Sequence, residues 1–321
     1  MTDGERPIIE AVGLVKHYGE RTAVDDLSLA VRTGEIYGFL GPNGAGKTTT
    51  ILMLLGILEP DAGVARINGH EAGPGRLQAR QFIGAVSETQ FLYPDMTVGE
   101  YLQFFARLYR LDDSQRRIDE LLDEVRLLDR RRSPTVELSR GMQQKLGMAR
   151  ALLHDPPALI LDEPVSGLDP HGLREVRDLI VEQRDRGRSV LLSSHVLAEV
   201  EKTADRVGII SQGRLITEAS PQDIVGQLTV NGPLDVEVDT DASELVDVLA
   251  AVDGVVDVHA SGSVLHLTTD GERQTRQRVS QAITATGAVI VRLNDPNVSL
   301  EDAFIQLTSH EIDKLKASVR G

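Results

Sequence analysis

The sequence predicts an α/β protein, in which a domain of strands buried on both faces is followed by a smaller α+β domain. Three observations carry that prediction. Continuous apolar runs such as Ile36–Leu40, Ile83–Val86 and Leu159–Leu161 alternate with longer stretches of helical period, as parallel strands and their crossover helices do. The first run leads into the glycine-rich stretch Gly41-Pro42-Asn43-Gly44-Ala45-Gly46-Lys47-Thr48, and Ile51–Leu55 follows at a spacing that suits the buried face of a helix. Beyond Val230 the texture shifts to short alternating strands around two helices.

The bulk properties bound the rest. A chain of 321 residues suggests about two domains, with a core large enough to need no covalent staple. It has no cysteine, which excludes disulfides and thiolate zinc sites and fits a reducing compartment. The polar start Thr2-Asp3-Gly4-Glu5 has no basic and apolar segments of a signal peptide. The longest apolar run, Ile51–Leu58, is broken by Gly56 and falls far below the roughly 20 residues of a membrane span, so the chain is expected to be soluble on its own. A net charge of -15 argues against a phosphate-backbone ligand, whose capture needs clustered cations.

In chain order, Ile8–Leu14 and the alternating Leu27, Leu29 and Val31 read as strands, with His17-Tyr18-Gly19 between them. The next strand, loop and helix match the pattern G-x-x-x-x-G-K-[ST] at Gly41–Thr48. In such a loop backbone N–H groups converge on a phosphate and the helix N-terminus adds positive charge. Gly41, Gly44 and Gly46 are expected to take positive φ angles or to allow close approach. Lys47 is expected to reach the β- and γ-phosphates, Thr48 to ligate magnesium, and Thr49 to lie in the same phosphate site. Val64–Ile67 with the turn Asn68-Gly69 reads as a hairpin. Ile83–Val86 is a strand that runs into Ser87-Glu88-Thr89.

From Val98 to Leu128 the period is helical, with Tyr101, Leu102, Phe105 and Leu108 on one face, then Ile118, Leu121, Leu122 and Val125 on the next. These helices interrupt the strand series as an inserted subdomain would. Ser139 is a natural N-cap for a helix through Met142, Leu146 and Ala149 to Leu153. The buried strand Leu159–Leu161 then delivers Asp162 and Glu163 at its C-terminal end, the edge where open parallel sheets bind ligands. Asp169-Pro170 caps a helix to about Arg186, and Ser189–Leu192 is a strand followed by Ser193-Ser194-His195 and a helix to Thr203. Val207–Ile210, the turn Gln212-Gly213 and Leu215–Thr217 form a hairpin, and Ser220-Pro221-Gln222-Asp223 opens a short helix.

Asn231-Gly232-Pro233 reads as a linker to the second domain. A strand at Leu234–Val238, a helix at Glu244–Ala251, strands at Val255–Val258 and Val264–Leu267, a helix at Arg273–Thr284 and a strand at Ala288–Leu293 give the order β-α-β-β-α-β of a ferredoxin-like domain. Ser299–Asp302 begins one more helix. The expected boundaries are 1–229 for the first domain, with its helical insertion at about 88–155, and 230–321 for the second.

Taken together and in order, these motifs resemble the nucleotide-binding subunit of an ABC transporter over about residues 8–228. Gly41–Thr48 matches the phosphate loop, Leu138-Ser139-Arg140-Gly141-Met142 the signature, Leu159–Glu163 the second nucleotide motif, and Ser166-Gly167-Leu168-Asp169 the D-loop. The resemblance implies a P-loop ATPase domain of ABC type with a helical subdomain. It makes Tyr18 the adenine-stacking aromatic and His195 the switch histidine that contacts the γ-phosphate. Asp162 is suited to the magnesium shell, and Glu163 to accept a proton from the attacking water. The resemblance further implies a head-to-tail dimer, in which Ser139 and Gly141 of one copy cover the ATP of the other and Asp169 lies at the interface.

Two positions depart from the family pattern. Glu88 stands where many relatives have a glutamine that touches magnesium and signals to the membrane subunit, so the added carboxylate is expected either to ligate the metal more strongly or to change only the coupling. Arg140 and Met142 replace a glycine and a glutamine of the signature. Similar substitutions occur in the drug- and lipid-exporting branch, which has a small C-terminal domain and pairs with a separate membrane permease of about six helices. Glu88–Tyr109 is the expected docking surface for that permease, and the acidic C-terminal domain an interaction or stabilising module. The expected function is ATP hydrolysis, with ATP and magnesium bound, driving export from the inner face of the membrane. One alternative is a soluble ABC-type ATPase in DNA repair or translation, which would carry a long coiled-coil insertion or two cassettes in one chain. An ATP-gated binding switch is another, against which Glu163 argues.

Overall fold

In the computed structural model the described residues are 7–228, 232–294, 299–302, 304 and 305. By its internal contacts the chain forms two compact units, residues 1–220 and 221–321. The N-terminal residues Thr2 to Glu5 and Asn231 of the expected linker lie outside the described residues.

The first unit opens with a hairpin of β1 (Ile9–Tyr18) and β2 (Arg21–Val31). Both strands run further than the sequence pattern indicates, so Tyr18 ends a strand and the turn shrinks to Gly19-Glu20. Next come β3 (Ile36–Leu40), α1 (Lys47–Leu54), β4 (Ala62–Ile67), β5 (His70–Glu71) and β6 (Ile83–Val86). Helices α2 (Val98–Leu108), α3 (Ser114–Glu124) and α4 (Arg140–Ala151) follow before β7 (Ala158–Asp162). The unit closes with α5 (Pro170–Asp185), β8 (Ser189–Ser194), α6 (Leu197–Thr203), β9 (Arg206–Ser211) and β10 (Arg214–Ala219).

These strands make two sheets. One has the order β2-β1-β4-β5, and the other β10-β9-β3-β8-β7-β6. In the second, β9, β3, β8, β7 and β6 run parallel and β10 returns antiparallel along the edge. One core joins both sheets through α1: Ile51, Met53 and Leu54 pack with Ile9, Leu27 and Ile67 of the first and with Phe39, Ile160 and Leu191 of the second. Burying Lys47, Thr50, Ile51, Met53 and Leu54 of α1 fixes the loop before it against the parallel sheet.

The expected helical stretch from Val98 to Leu128 breaks between α2 and α3, where Arg110 and Asp113 take φ angles of 57° and 45°. Leu108 was placed on the apolar face with Tyr101, but it ends α2 and is 65% exposed, while Ala106 is buried in its stead. Thr97 and Glu100 form a capping box at the start of α2.

The second unit contains α7 (Pro221–Leu228), β11 (Gly232–Val238), α8 (Val246–Ala250), β12 (Val255–Ser261), β13 (Val264–Thr269), α9 (Arg273–Ala285) and β14 (Ile290–Asn294). Its sheet has the order β12-β13-β11-β14, antiparallel throughout. Leu234, Val236 and Val238 face Leu249 of α8 and Val279 and Ile283 of α9. Gly232 and Pro233, expected in a linker, are the first residues of β11. Proline is tolerated there because, among the described residues, β14 pairs with β11 only at Asp235–Val238. The helix expected from Glu244 starts instead as a 3-10 turn at Ala242–Leu245. Ser299 and Asp302 make reciprocal capping bonds, and residues 303 and 306–321 lie outside the described residues. Among the described residues no helix is long and apolar enough to cross a membrane.

Candidate functional site

The parallel strands bring their C-terminal ends to one edge of the second sheet, and there a cleft of about 370 Å³ opens. The loop after β3 forms its floor: Pro42, Asn43, Gly44, Gly46, Lys47, Thr48 and Thr49 line it. Tyr18 from the end of β1, Glu88 after β6, Asp162 and Glu163 at the end of β7, and His195 after β8 complete the wall. Gly41 and Ala45 shape the loop from beneath. The amide of Ala45 donates to the carbonyl of Pro42 at 3.2 Å, closing the turn.

Glycine is required for distinct reasons at two of these positions. Gly46 has φ 112°, and a Cβ there would stand 2.5 Å from the carbonyl oxygen of Ala23. Gly41 was expected to share the positive-φ role, but only Gly44 and Gly46 of the loop take it. The constraint at Gly41 is close approach, since a Cβ would meet the Ile210 carbonyl at 2.5 Å. Among the described residues no side chain caps α1, so its first N–H groups are available to an anion.

Lys47 is buried, and its ammonium donates to the Gly41 carbonyl at 2.5 Å while standing 3.9 Å from Glu163 Oε1. Burial pushes its pKa below the ordinary lysine value, and the charges of Glu163 and Asp162 oppose that shift. Glu163 itself sits at φ 50°, the left-handed region that non-glycine residues enter at a cost of roughly 1–2 kcal/mol. Ser193 of β8 holds that turn: its carbonyl and hydroxyl accept from the Glu163 amide at 3.2 and 3.0 Å. The same hydroxyl donates to Asp162 Oδ1 at 2.6 Å. The parallel register pairs Asp162 with Ser193 directly.

The ring of His195 lies on Glu163, with Nδ1 2.7 Å and the His195 amide 3.2 Å from Oε2. A carboxylate oxygen accepts, so Nδ1 carries the hydrogen of this bond and Nε2 is left for another partner. Glu88 is held at both ends: Ser166 Oγ donates to its Oε1 at 3.3 Å, and Gln144 of α4 donates to its carbonyl at 2.7 Å.

Ser139, Gly141 and Asp169 are not in this cleft. They line a second cavity of about 550 Å³, together with Arg140, Met142, Lys145, Gly167 and Gly172. Ser139 caps α4 by accepting from the Met142 amide at 3.3 Å, and Asp169 caps α5 by accepting from the Gly172 amide at 2.7 Å. The guanidinium of Arg140 lies over the Gly167 turn, so close that a Cβ on Gly167 would come within 2.8 Å of Nη1.

Sequence reasoning missed three contributors. Arg21 lines the first cleft and donates to the Gly44 carbonyl at 3.1 Å. Ser193 reads in the sequence only as a residue before His195, because its role comes from the β7–β8 register that sets it beside Asp162. Gln90 is buried, donating to the Ser87 carbonyl at 2.6 Å and to Gln144 Oε1 at 3.1 Å, and no pattern flagged it.

With this geometry in place, residues 24–166 match the ABC transporter family. The chain is 37% identical over 313 residues to a Nod factor export ATP-binding protein I from Ralstonia nicotianae, covering 96% of each. It is 43% identical over 212 residues to a bacitracin transport ATP-binding protein from Bacillus licheniformis, covering 66% of this chain and 69% of the relative. A solved ATP-binding subunit of an ABC transporter superimposes with a TM-score of 0.63 at 35% identity, covering 69% of this chain and 93% of that one.

Proposed function

The chain belongs to the ABC transporter family as an ATP-binding, ATP-hydrolysing subunit, and from that premise we propose that it powers export through a separate membrane permease. The observation that carries the proposal is the first cleft, where the phosphate loop, three carboxylates and a histidine from four strand ends face one space. The near full-length likeness to an export ATP-binding protein supports the direction; the cargo belongs to the permease.

In this reading Tyr18, half exposed at the rim, stacks on the adenine. The amides of Asn43 to Thr49 and the ammonium of Lys47 hold the β- and γ-phosphates, Lys47 exchanging its carbonyl partner for phosphate oxygens. Glu163, presented by the strained turn after β7, takes the proton of the attacking water. Its present bond to His195 leaves Nε2 of that ring to meet the γ-phosphate. A water that is aligned and deprotonated as it attacks is worth roughly 10²- to 10⁴-fold.

The donor set fits magnesium. Thr48, Asp162 and Glu88 offer hard oxygen ligands in the cleft, and among the described residues no group of three or more metal-ligating side chains forms a cage. Magnesium usually keeps waters and substrate phosphates with only one or two protein ligands. When bound it would neutralise charge on the phosphates.

Residues 1–229 serve in this account as the ATPase domain, with α2–α4 as its helical subdomain, and 230–321 as a ferredoxin-like accessory domain. Two copies associate head to tail, each second cavity covering the partner's first, so that Ser139 and Gly141 complete the phosphate site and Asp169 lies at the seam. The permease docks on Glu88–Tyr109, where Phe91 is 84% exposed and Leu108 65%; such apolar side chains mark a contact surface. The subunit then works at the inner face of the cell membrane.

The test is coexpression with the candidate permease. The chain should copurify with it, and the complex should hydrolyse ATP while Glu163→Gln binds ATP without turnover. Unchanged hydrolysis by Glu163→Gln would remove the base, and copurification with ribosomes or DNA instead would overturn the transporter reading.

A further inference from the structure

Four side chains join the first cleft to both elements of the second cavity by direct hydrogen bonds. Ser166, in the loop that leads to Asp169, donates to the Glu88 carboxylate at 3.3 Å. Gln144 of α4, whose N-terminus carries Ser139, donates to the Glu88 carbonyl at 2.7 Å. Gln90 donates to Gln144 Oε1 at 3.1 Å and to the Ser87 carbonyl at 2.6 Å. Both glutamines are buried. The room for Gln90 comes from Gly147, where a Cβ would lie 2.5 Å from its Oε1.

Burying two amides is costly unless their hydrogen bonds are made. Among the described residues Gln90 Oε1 nevertheless has no partner, so the site gives up one bond. A leucine or methionine at either position would fill the volume without that cost, so packing does not explain the pair. What the pair does achieve is orientation. With its carbonyl held by α4 and its carboxylate by Ser166, Glu88 keeps one direction into the cleft.

We propose that Gln144 is a positioning residue, which sets Glu88 toward the phosphates and metal in the first cleft, and that Gln90 holds Gln144 in the rotamer that does so. The same bonds tie Glu88 to α4, so a shift of Glu88 on binding moves the helix that presents Ser139. This rests on the reading of Glu88 as a residue of the ATP-magnesium site.

The experiment measures affinity for ATP, with and without magnesium, by calorimetry on the full chain carrying Glu88→Ala, Gln144→Met, Gln90→Met or Glu88→Ala with Gln144→Met. Loss of an outer-shell partner is expected to weaken magnesium-dependent affinity about tenfold in Gln144→Met, with a smaller loss in Gln90→Met. Affinity without magnesium should be unchanged. The double variant should match Glu88→Ala within about twofold, because the two residues act through one group.

Independent losses that multiply in the double variant would overturn the proposal. So would a Gln144→Met that melts earlier but binds normally. If Gln144→Met fails to fold, Gln90→Met with the same readouts decides, since it removes an amide whose Oε1 is already unpaired. Full magnesium-dependent affinity in Glu88→Ala would refute the reading of Glu88 itself. A loss there, with none in Gln144→Met and Gln90→Met, would refute only the present inference.

Discussion

The two units build strands and helices from similar residues but collect polar groups in different places, and strand direction is the cause. In the six-stranded sheet, β3, β6, β7 and β8 run parallel, so every following loop leaves from the same edge. Lys47, Glu88, Asp162, Glu163 and His195 therefore meet in one cleft. In the four-stranded sheet each neighbour is antiparallel, so the loops after strands that lie side by side leave from opposite edges. Its polar residues meet instead on the open face, where His266 bonds Asp235 at 2.8 Å and lies 5.5 Å from the ring of His259. A parallel edge gathers loops that can converge on one ligand, while an antiparallel face presents a surface.

If that contrast is right, damage to the second unit should cost stability and leave ATP binding alone. Leu249 is fully buried in its core, and Leu249→Ala should destabilise that unit by about 2–5 kcal/mol. Denaturation should show this as loss of one transition, with the affinity for ATP unchanged. A parallel fall in affinity would break the comparison.

Damage to the first unit's edge should do the reverse. Ser193→Ala removes the hydroxyl shared by Asp162 and the Glu163 amide while leaving a small residue in a buried strand. Turnover should drop about 10- to 100-fold, the usual cost of losing an outer-shell partner, with a much smaller change in melting temperature.

A smaller effect follows from Lys47, whose pKa burial holds below the ordinary value. A phosphate beside the ammonium favours its charged form and raises that pKa. Between the lowered free value and the higher bound value, ATP binding must take up a proton, so affinity falls as pH rises through that window. Calorimetry in buffers of different ionisation enthalpy reads the uptake directly, and Lys47→Ala should abolish it.

Much of this was legible in the sequence, and the reasons it was legible are local. The glycine-rich loop before α1, the Ser139 and Asp169 caps and the acids after β7 are set by residue type at fixed spacing, and each appears where its pattern placed it. The β-α-β-β-α-β order likewise follows from alternation and turn residues. What the sequence hid depends on register and on breaks. Ser193 gains its role only because β8 lies beside β7, and Gln90 only because Gly147 of α4 leaves room for it. Leu108 keeps the helical spacing of Tyr101, but it is the last residue of α2, two residues before the left-handed turn at Arg110, and it stands exposed.

The central claim is that the two cavities are halves of one ATP site, closed between two copies. The chain has no cysteine, so Asn43→Cys with Met142→Cys in the Glu163→Gln background reports their approach by oxidative crosslinking. The account predicts a covalent dimer that forms with ATP and magnesium and is absent without ATP and absent from either single-cysteine chain. No ATP-dependent dimer, or equal crosslinking with and without ATP, would contradict it.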